Sequence, residues 1–243
     1  MANIFPRGSN LLPIKIVICA LVLVPAISLG MYYYFTPKYT RVGYQPAQPV
    51  PFPHDVHVAQ LGMDCRYCHS FVEVAAHSNI PTTQVCMNCH SQVQRDNPKL
   101  APLRESWSTG RAMEWVQIHK TPDYVYFNHS AHVNRGVSCV SCHGKVNEMP
   151  VVYHAKPHSM SWCLDCHRNP EGALRPLDQI TNLNWEPNQT DVQAFMKKYG
   201  PATGEDAEEI NHANTLTQEQ IGSVLRDKWH INPPDKNCAG CHR

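Results

Sequence analysis

The chain has 243 residues, a formal net charge of +1 and a pI near 7.6, with charged residues at 17% and apolar ones at 42%. So even a balance sets up no field for nucleic acid or for an electrostatically held membrane contact, and no nucleic-acid partner is expected. Twenty prolines, fifteen histidines and eleven cysteines are the unusual counts, and the prolines fit short helices joined by long irregular loops.

Residues 1–37 read as an N-terminal cytoplasmic stub and a transmembrane helix. Ile16 to Pro37 runs 22 residues without a charge, enough for one crossing of a bilayer. Lys15 can snorkel at its start, and Tyr32, Tyr33, Tyr34 and Phe35 form an aromatic belt at its far end. Pro25 predicts a mild kink. Ala26-Ile27-Ser28 is a small-x-small site that a removed leader would also show; the expectation is a retained anchor. Cys19 is not a lipoprotein cysteine, because Ile18 before it is not small. Arg7 and Lys15 before the span balance Lys38 and Arg41 after it, so charge does not orient the helix.

Residues 38–51 are a Pro-rich linker. An internal repeat follows. Phe52-Pro53-His54-Asp55-Val56-His57 precedes Cys65-Arg66-Tyr67-Cys68-His69 (motif I), and Cys86-Met87-Asn88-Cys89-His90 (motif II) comes about twenty residues later. Phe127-Asn128-His129-Ser130-Ala131-His132 precedes Cys139-Val140-Ser141-Cys142-His143 (motif III), followed by Cys163-Leu164-Asp165-Cys166-His167 (motif IV). Each copy has a glycine, Gly62 or Gly136, three residues before its first cysteine. Residues 52–90 and 127–167 thus read as two copies of one unit, and 91–126 as a connector. Residues 168–243 read as a polar wrap-around segment with helices at Asp191–Tyr199 and Gln218–Trp229, closed by Cys238-Ala239-Gly240-Cys241-His242 (motif V).

Five C-x-x-C-H motifs account for ten of the eleven cysteines. The pattern attaches c-type haem: two thiols form thioethers and the next residue brings an imidazole to the iron. Zinc sites pair cysteines without requiring a histidine after every pair. Disulfides two residues apart close a strained ring and leave the histidines unexplained. The sequence therefore predicts five covalently bound haem c groups. The haem thioethers would form at Cys65, Cys68, Cys86, Cys89, Cys139, Cys142, Cys163, Cys166, Cys238 and Cys241, with proximal ligands His69, His90, His143, His167 and His242. Such attachment happens outside the bacterial inner membrane. That orients the chain: single-pass, N-terminus cytoplasmic, haem domain periplasmic. The fold class expected is mainly α with extensive loops, one transmembrane helix, and a class III-like multihaem cytochrome domain whose core is largely haem.

Ten other histidines remain for the sixth iron positions. Histidines at i and i+3 project from neighbouring helical positions. His54 and His129 are expected opposite His69 and His143, and His57 and His132 opposite two other irons. His119 is a further distal candidate. His77 and His154 each lie nine residues before the second motif of a unit. Met160 and Met149 could ligate and raise a potential. His158, His212 and His230 are expected at the surface. No residue is expected to be catalytic, since saturated iron carries electrons and binds no substrate.

The stretches MDCRYCHS (63–70), IPTTQVCMNCH (80–90), WVQIHKTPDYVYFNHSAHVNRGVSCVSCHG (115–144), MSWCLDCHR (160–168) and INPPDKNCAGCHR (231–243) resemble one pattern. It is that of the membrane-anchored pentahaem cytochrome subunit of bacterial alternative complex III. The likeness covers roughly 52–168 and the tail. It implies an electron carrier rather than an enzyme in itself, working in a quinol-oxidising complex. Its partners would be integral membrane quinol-binding subunits, an iron–sulfur subunit and a monohaem cytochrome. It also implies ligand roles for His119, His129 and His132, draws attention to Met160, and associates the position of His154 with a non-ligand. The alternatives are a stand-alone quinol dehydrogenase of the NapC/NrfH type and a subunit of a multihaem reductase. The linker between helix and first motif disfavours the former, and the latter needs a five-coordinate iron.

Overall fold

The computed structural model describes residues 6–35, 40–203, 207–232 and 238–242. It divides at Val42 into an N-terminal unit and a larger unit from Gly43 onward.

The N-terminal unit is one helix, α1 (Leu12–Phe35), entered through a 3₁₀ turn at Arg7–Leu11. Its 24 residues extend about 36 Å at 1.5 Å per residue, longer than the roughly 30 Å of a bilayer's apolar layer. No side chain of α1 is buried, and Pro25 lies inside it with helix on both sides. By length and composition it can cross a membrane. The expected end at Pro37 lies outside the described residues.

The second unit is short helices and loops. Among the described residues no strand forms; the backbone makes only two isolated bridges, Val125 with His242 and Val137 with Leu174. Every attachment motif sits on a helical turn: α2 (Cys65–Cys68), α3 (Thr83–His90), α6 (Cys139–His143), α7 (Met160–Arg168), and a 3₁₀ turn at Cys238–Gly240, with α4 (Ala101–Thr109) and α5 (His129–Val133) between α3 and α6. Local chemistry sets their starts. Asp64 accepts from Arg66 N, Asn128 from Ala131 N and Ser159 from Trp162 N. Gly110, at φ 69°, ends α4 in the left-handed conformation that glycine adopts without steric cost.

Helices α2, α3, α5, α6 and α7 bury no side chain. The close-packed core lies in the segment expected to be a polar wrap. There α8 (Val192–Tyr199), α9 (Ala207–His212) and α10 (Gln218–Lys228) bring together Leu174, Trp185, Phe195, Tyr199, Ile210 and Leu225, among others. Composition averages over the helices and hides this core. The apolar residues recur at helical spacing, Phe195 with Tyr199 and Ile221 with Val224 and Leu225, between polar caps. Asp191 caps α8, and Thr217 with Gln220 forms a capping box on α10. Helix α10 starts at the expected Gln218 with Trp229 as its C-cap, and α8 starts at Val192, one residue after the expected Asp191.

This core is clamped to the rest at two glycines. A Cβ on Gly222 would lie 2.1 Å from Glu171 O, so α10 rests directly on the 3₁₀ turn Pro170–Ala173. Gln218 Nε2 donates to Glu171 O and Leu174 O at 3.0 and 2.7 Å across the same contact. Gly136, at φ 83°, faces the Trp229 ring, where a Cβ would approach to 2.6 Å.

Candidate functional site

The two Phe-x-His-x-x-His copies adopt one geometry. Phe52 stacks on His57 at 4.3 Å and meets His54 edge-on at 4.8 Å; Phe127 stacks on His132 at 4.5 Å and meets His129 edge-on at 4.8 Å. In both copies the second histidine donates Nδ1–H to the carbonyl four residues earlier: His57 to Pro53 O at 2.9 Å, His132 to Asn128 O at 2.7 Å.

That arrangement recurs across the site. His69 donates through Nδ1 to Asn79 O (2.8 Å), His90 to Val93 O (3.0 Å), His129 to Ala76 O (3.0 Å) and His242 to Tyr124 O (3.1 Å). A carbonyl on Nδ1 fixes the tautomer and leaves the Nε2 lone pair for a metal, the usual outer partner of a ligating histidine. His158 has the opposite pattern, with Nε2 at 3.1 Å from Cys142 O.

Five histidine pairs share one spacing; His158 makes two of them, 6.3 Å from His143 and 6.0 Å from His119, and the other three each join a motif histidine to a repeat histidine. His57 and His90 have ring centres 6.2 Å apart, His129 and His143 6.4 Å, and His132 and His167 6.1 Å. Two imidazoles bound to opposite sides of one iron by metal–nitrogen bonds of about 2 Å hold their centres roughly 6 Å apart. Burial lowers the imidazole pKa of His132, His167 and, strongly, His143; a neutral imidazole is the ligating form. His54 is held at about 4, first by burial and then by nearby His69.

The remaining candidates fall elsewhere. His119 meets His143 edge-on at 4.4 Å, closer than the three pairs, and lies 5.3 Å from fully buried His154. His77 and Met160 are exposed, Met149 is buried, and His212 and His230 are exposed as expected. His158 is not at the surface. Its ring lies 4.7 Å from His154 and 5.1 Å from Trp162, with its own backbone in the left-handed region at φ 45°. Asn79 went unread in the sequence. Its side chain donates to Cys68 O and accepts from Phe71 N, while its carbonyl holds His69.

Burial raises the thiols of Cys68, Cys86, Cys163 and Cys166 and pushes Cys142 up to about 12, so these five sulfurs are neutral. Among the described residues no group of three or more His, Cys, Asp or Glu is arranged to hold a bare metal ion. Around the motifs, Tyr67, Phe71, Val74, Val93, Tyr124 and Tyr126 are left exposed, a density of large apolar side chains that a plain protein surface does not carry. Paired imidazoles with fixed tautomers, thiols two residues apart and bare apolar walls fit an apolar macrocycle with a central metal. The cysteines would hold it covalently and the histidines axially.

Comparison with known proteins agrees. A chain from Nitratidesulfovibrio vulgaris (strain Hildenborough), named menaquinone reductase, multiheme cytochrome c subunit, is 38% identical over 100 residues, which are 41% of this chain and 47% of that one. The chain therefore aligns with about half the length of this curated relative. The profile described as cytochrome c7 and related cytochrome c matches residues 50–106 and 125–190, just over half of the sequence and both copies of the histidine repeat. On that match the chain belongs to the family of cytochrome c7 and related multihaem cytochromes c.

Proposed function

We propose that this chain carries five haem c groups and relays electrons between a membrane quinone pool and a partner outside the membrane, with α1 as its anchor. The observation that carries the reading is the set of three histidine pairs at 6.1–6.4 Å, each uniting a C-x-x-C-H histidine with a histidine of the repeat. Haem held between two imidazoles supplies a one-electron iron couple with no open coordination position.

The residues divide the work as follows. The ten motif cysteines tether. His69, His90, His143, His167 and His242 ligate from the proximal side. His57, His132 and His129 are the distal partners of motifs II, IV and III, and His54 that of motif I. His119 is held in reserve as the remaining distal histidine. The carbonyls of Asn79, Val93, Ala76, Asn128, Pro53 and Tyr124 orient the rings. Segments 52–90 and 127–167 act as two dihaem units, and the core formed with α8 and α10 braces them.

Within this reading we favour the electron-transfer subunit of alternative complex III, on the resemblance of the motif-bearing stretches. Electrons would then come from quinol through an iron–sulfur subunit and leave toward a periplasmic acceptor. The name of the relative favours a second direction, in which a chain of this kind delivers electrons to menaquinone. Purified full-length chain tests both. Intact mass and a pyridine haemochrome count should give five covalent haems, and low-temperature spectra should be wholly low-spin. Fast reduction of the isolated chain by a menaquinol analogue would overturn the subunit reading in favour of a stand-alone quinol dehydrogenase.

A further inference from the structure

The five motifs are not neighbours in the order in which the sequence presents them. Motif II meets motif I directly, where Asn88 Nδ2 donates to Tyr67 OH at 3.3 Å. The other side of motif I belongs to motif III, through a bridge of consecutive residues. Thr181 Oγ1 donates to Asp64 at 3.0 Å beside Cys65, while Ile180 O accepts from Cys139 N at 3.3 Å and from Ser138 Oγ at 2.8 Å. The Cys65 and Cys139 side chains lie within interaction range of each other. Between motifs III and IV, His158 bridges from Cys142 O to Trp162, one residue before Cys163. Motif V docks on the segment that leads into the second repeat: Tyr126 N donates to Cys241 O at 3.0 Å, and the next residue, Phe127, stacks on His132, the ring facing His167 of motif IV.

We infer that electrons cross this chain in the spatial order II–I–III–IV–V, so that motif II and motif V are the two ends of the relay and motif I is an interior link. The inference rests on the haem-carrying reading above and adds to it which sites exchange with partners. Each hop moves one electron. The giving iron is oxidised, the receiving iron is reduced, and no bond or proton changes place. Two repeats of one pattern produce this inversion because the second copy abuts the first through the motif that opens it. His129 and Ser130 donate backbone N–H to Ala76 and Ala75 of the first copy, at 2.9 and 3.2 Å.

The test is light-driven injection into the haem-loaded full chain, with Cys19→Ser removing the spare thiol. A ruthenium polypyridyl photoreductant, whose excited Ru(II) is oxidised to Ru(III) as it gives up its electron, is attached at Gln92→Cys beside motif II or at Asp123→Cys beside motif V. Haem absorbance then counts the sites reduced in the fast phase. With Cys65→Ala/Cys68→Ala and the label at 92, one haem should be reduced quickly; four would mean sequence order and would overturn the inference. With Cys86→Ala/Cys89→Ala and the label at 123, all four remaining haems should respond together; three fast and one slow would overturn it. The two variants remove different motifs, so loss of folding in one leaves the other decisive. Chain without covalent haem would instead overturn the underlying reading.

Discussion

The imidazoles of His129 and His143 lie 6.4 Å apart between ring centres and within 11° of parallel. One belongs to the repeat and the other to motif III, and His129 is steered from the first copy by Ala76 O at 3.0 Å. His129→Ala should therefore convert one haem from low-spin to high-spin, as read by EPR and by the charge-transfer bands of the resting protein. His212→Ala and His230→Ala, at exposed positions, should leave the spectrum unchanged.

Asn79 holds the His69 ring by its carbonyl while its side chain closes the 69–79 loop on Cys68 O and Phe71 N. Asn79→Ala loosens that clamp, and a weaker bond at Nδ1 makes His69 a poorer donor to iron. One midpoint potential should rise by about 20–60 mV, the one-electron equivalent of the roughly 0.5–1.5 kcal/mol of a hydrogen bond. Spectroelectrochemical titration checks this; an unmoved set of midpoints would remove Asn79 from the site.

The packed core should behave as an ordinary one. Leu225 is fully buried in α10, and Leu225→Ala should cost about 2–5 kcal/mol by denaturant unfolding. Gly222→Ala drives a methyl against Glu171 O and should destabilise by about 1–3 kcal/mol, more than helix propensity alone would return. Both changes should lower the unfolding midpoint before any change in the spin state at motifs I and II.

Asp64 ties motif I to Arg66 and to Thr181, and these bonds hold its carboxyl at about 2, led by the Arg66 hydrogen bond. The folded value is depressed, so the stabilisation is complete above the unfolded pKa near 3.8 and fades as pH falls toward about 2. Asp64→Asn should flatten the acid limb of the stability profile between those values. The side chain is largely exposed, so the loss at neutral pH should stay below about 1 kcal/mol, measured by thermal unfolding against pH.

Chemistry written in contiguous residues was legible from the sequence. Each C-x-x-C-H is a local device whose spacing alone dictates two sulfurs and an imidazole on one helical turn, and twenty-two uncharged residues specify α1 by composition. The paired Phe-x-His-x-x-His copies were visible as a repeat, and the helices at 191–199 and 218–229 were visible in outline. The sequence set His129 opposite His143, but which motif histidines face His57 and His132 was not legible, because His90 and His167 meet them only after loops of many residues close. Neither the inward turn of His158, nor the grip of Asn79, nor the meeting of Cys65 with Cys139 has a local signal. The core around Ile221 and Leu225 was hidden in polar composition, since packing depends on which faces of short helices meet. Sequence spacing sets what each motif can bind; tertiary contact sets the order of the motifs, because distance in space rather than distance along the chain governs the passage of an electron.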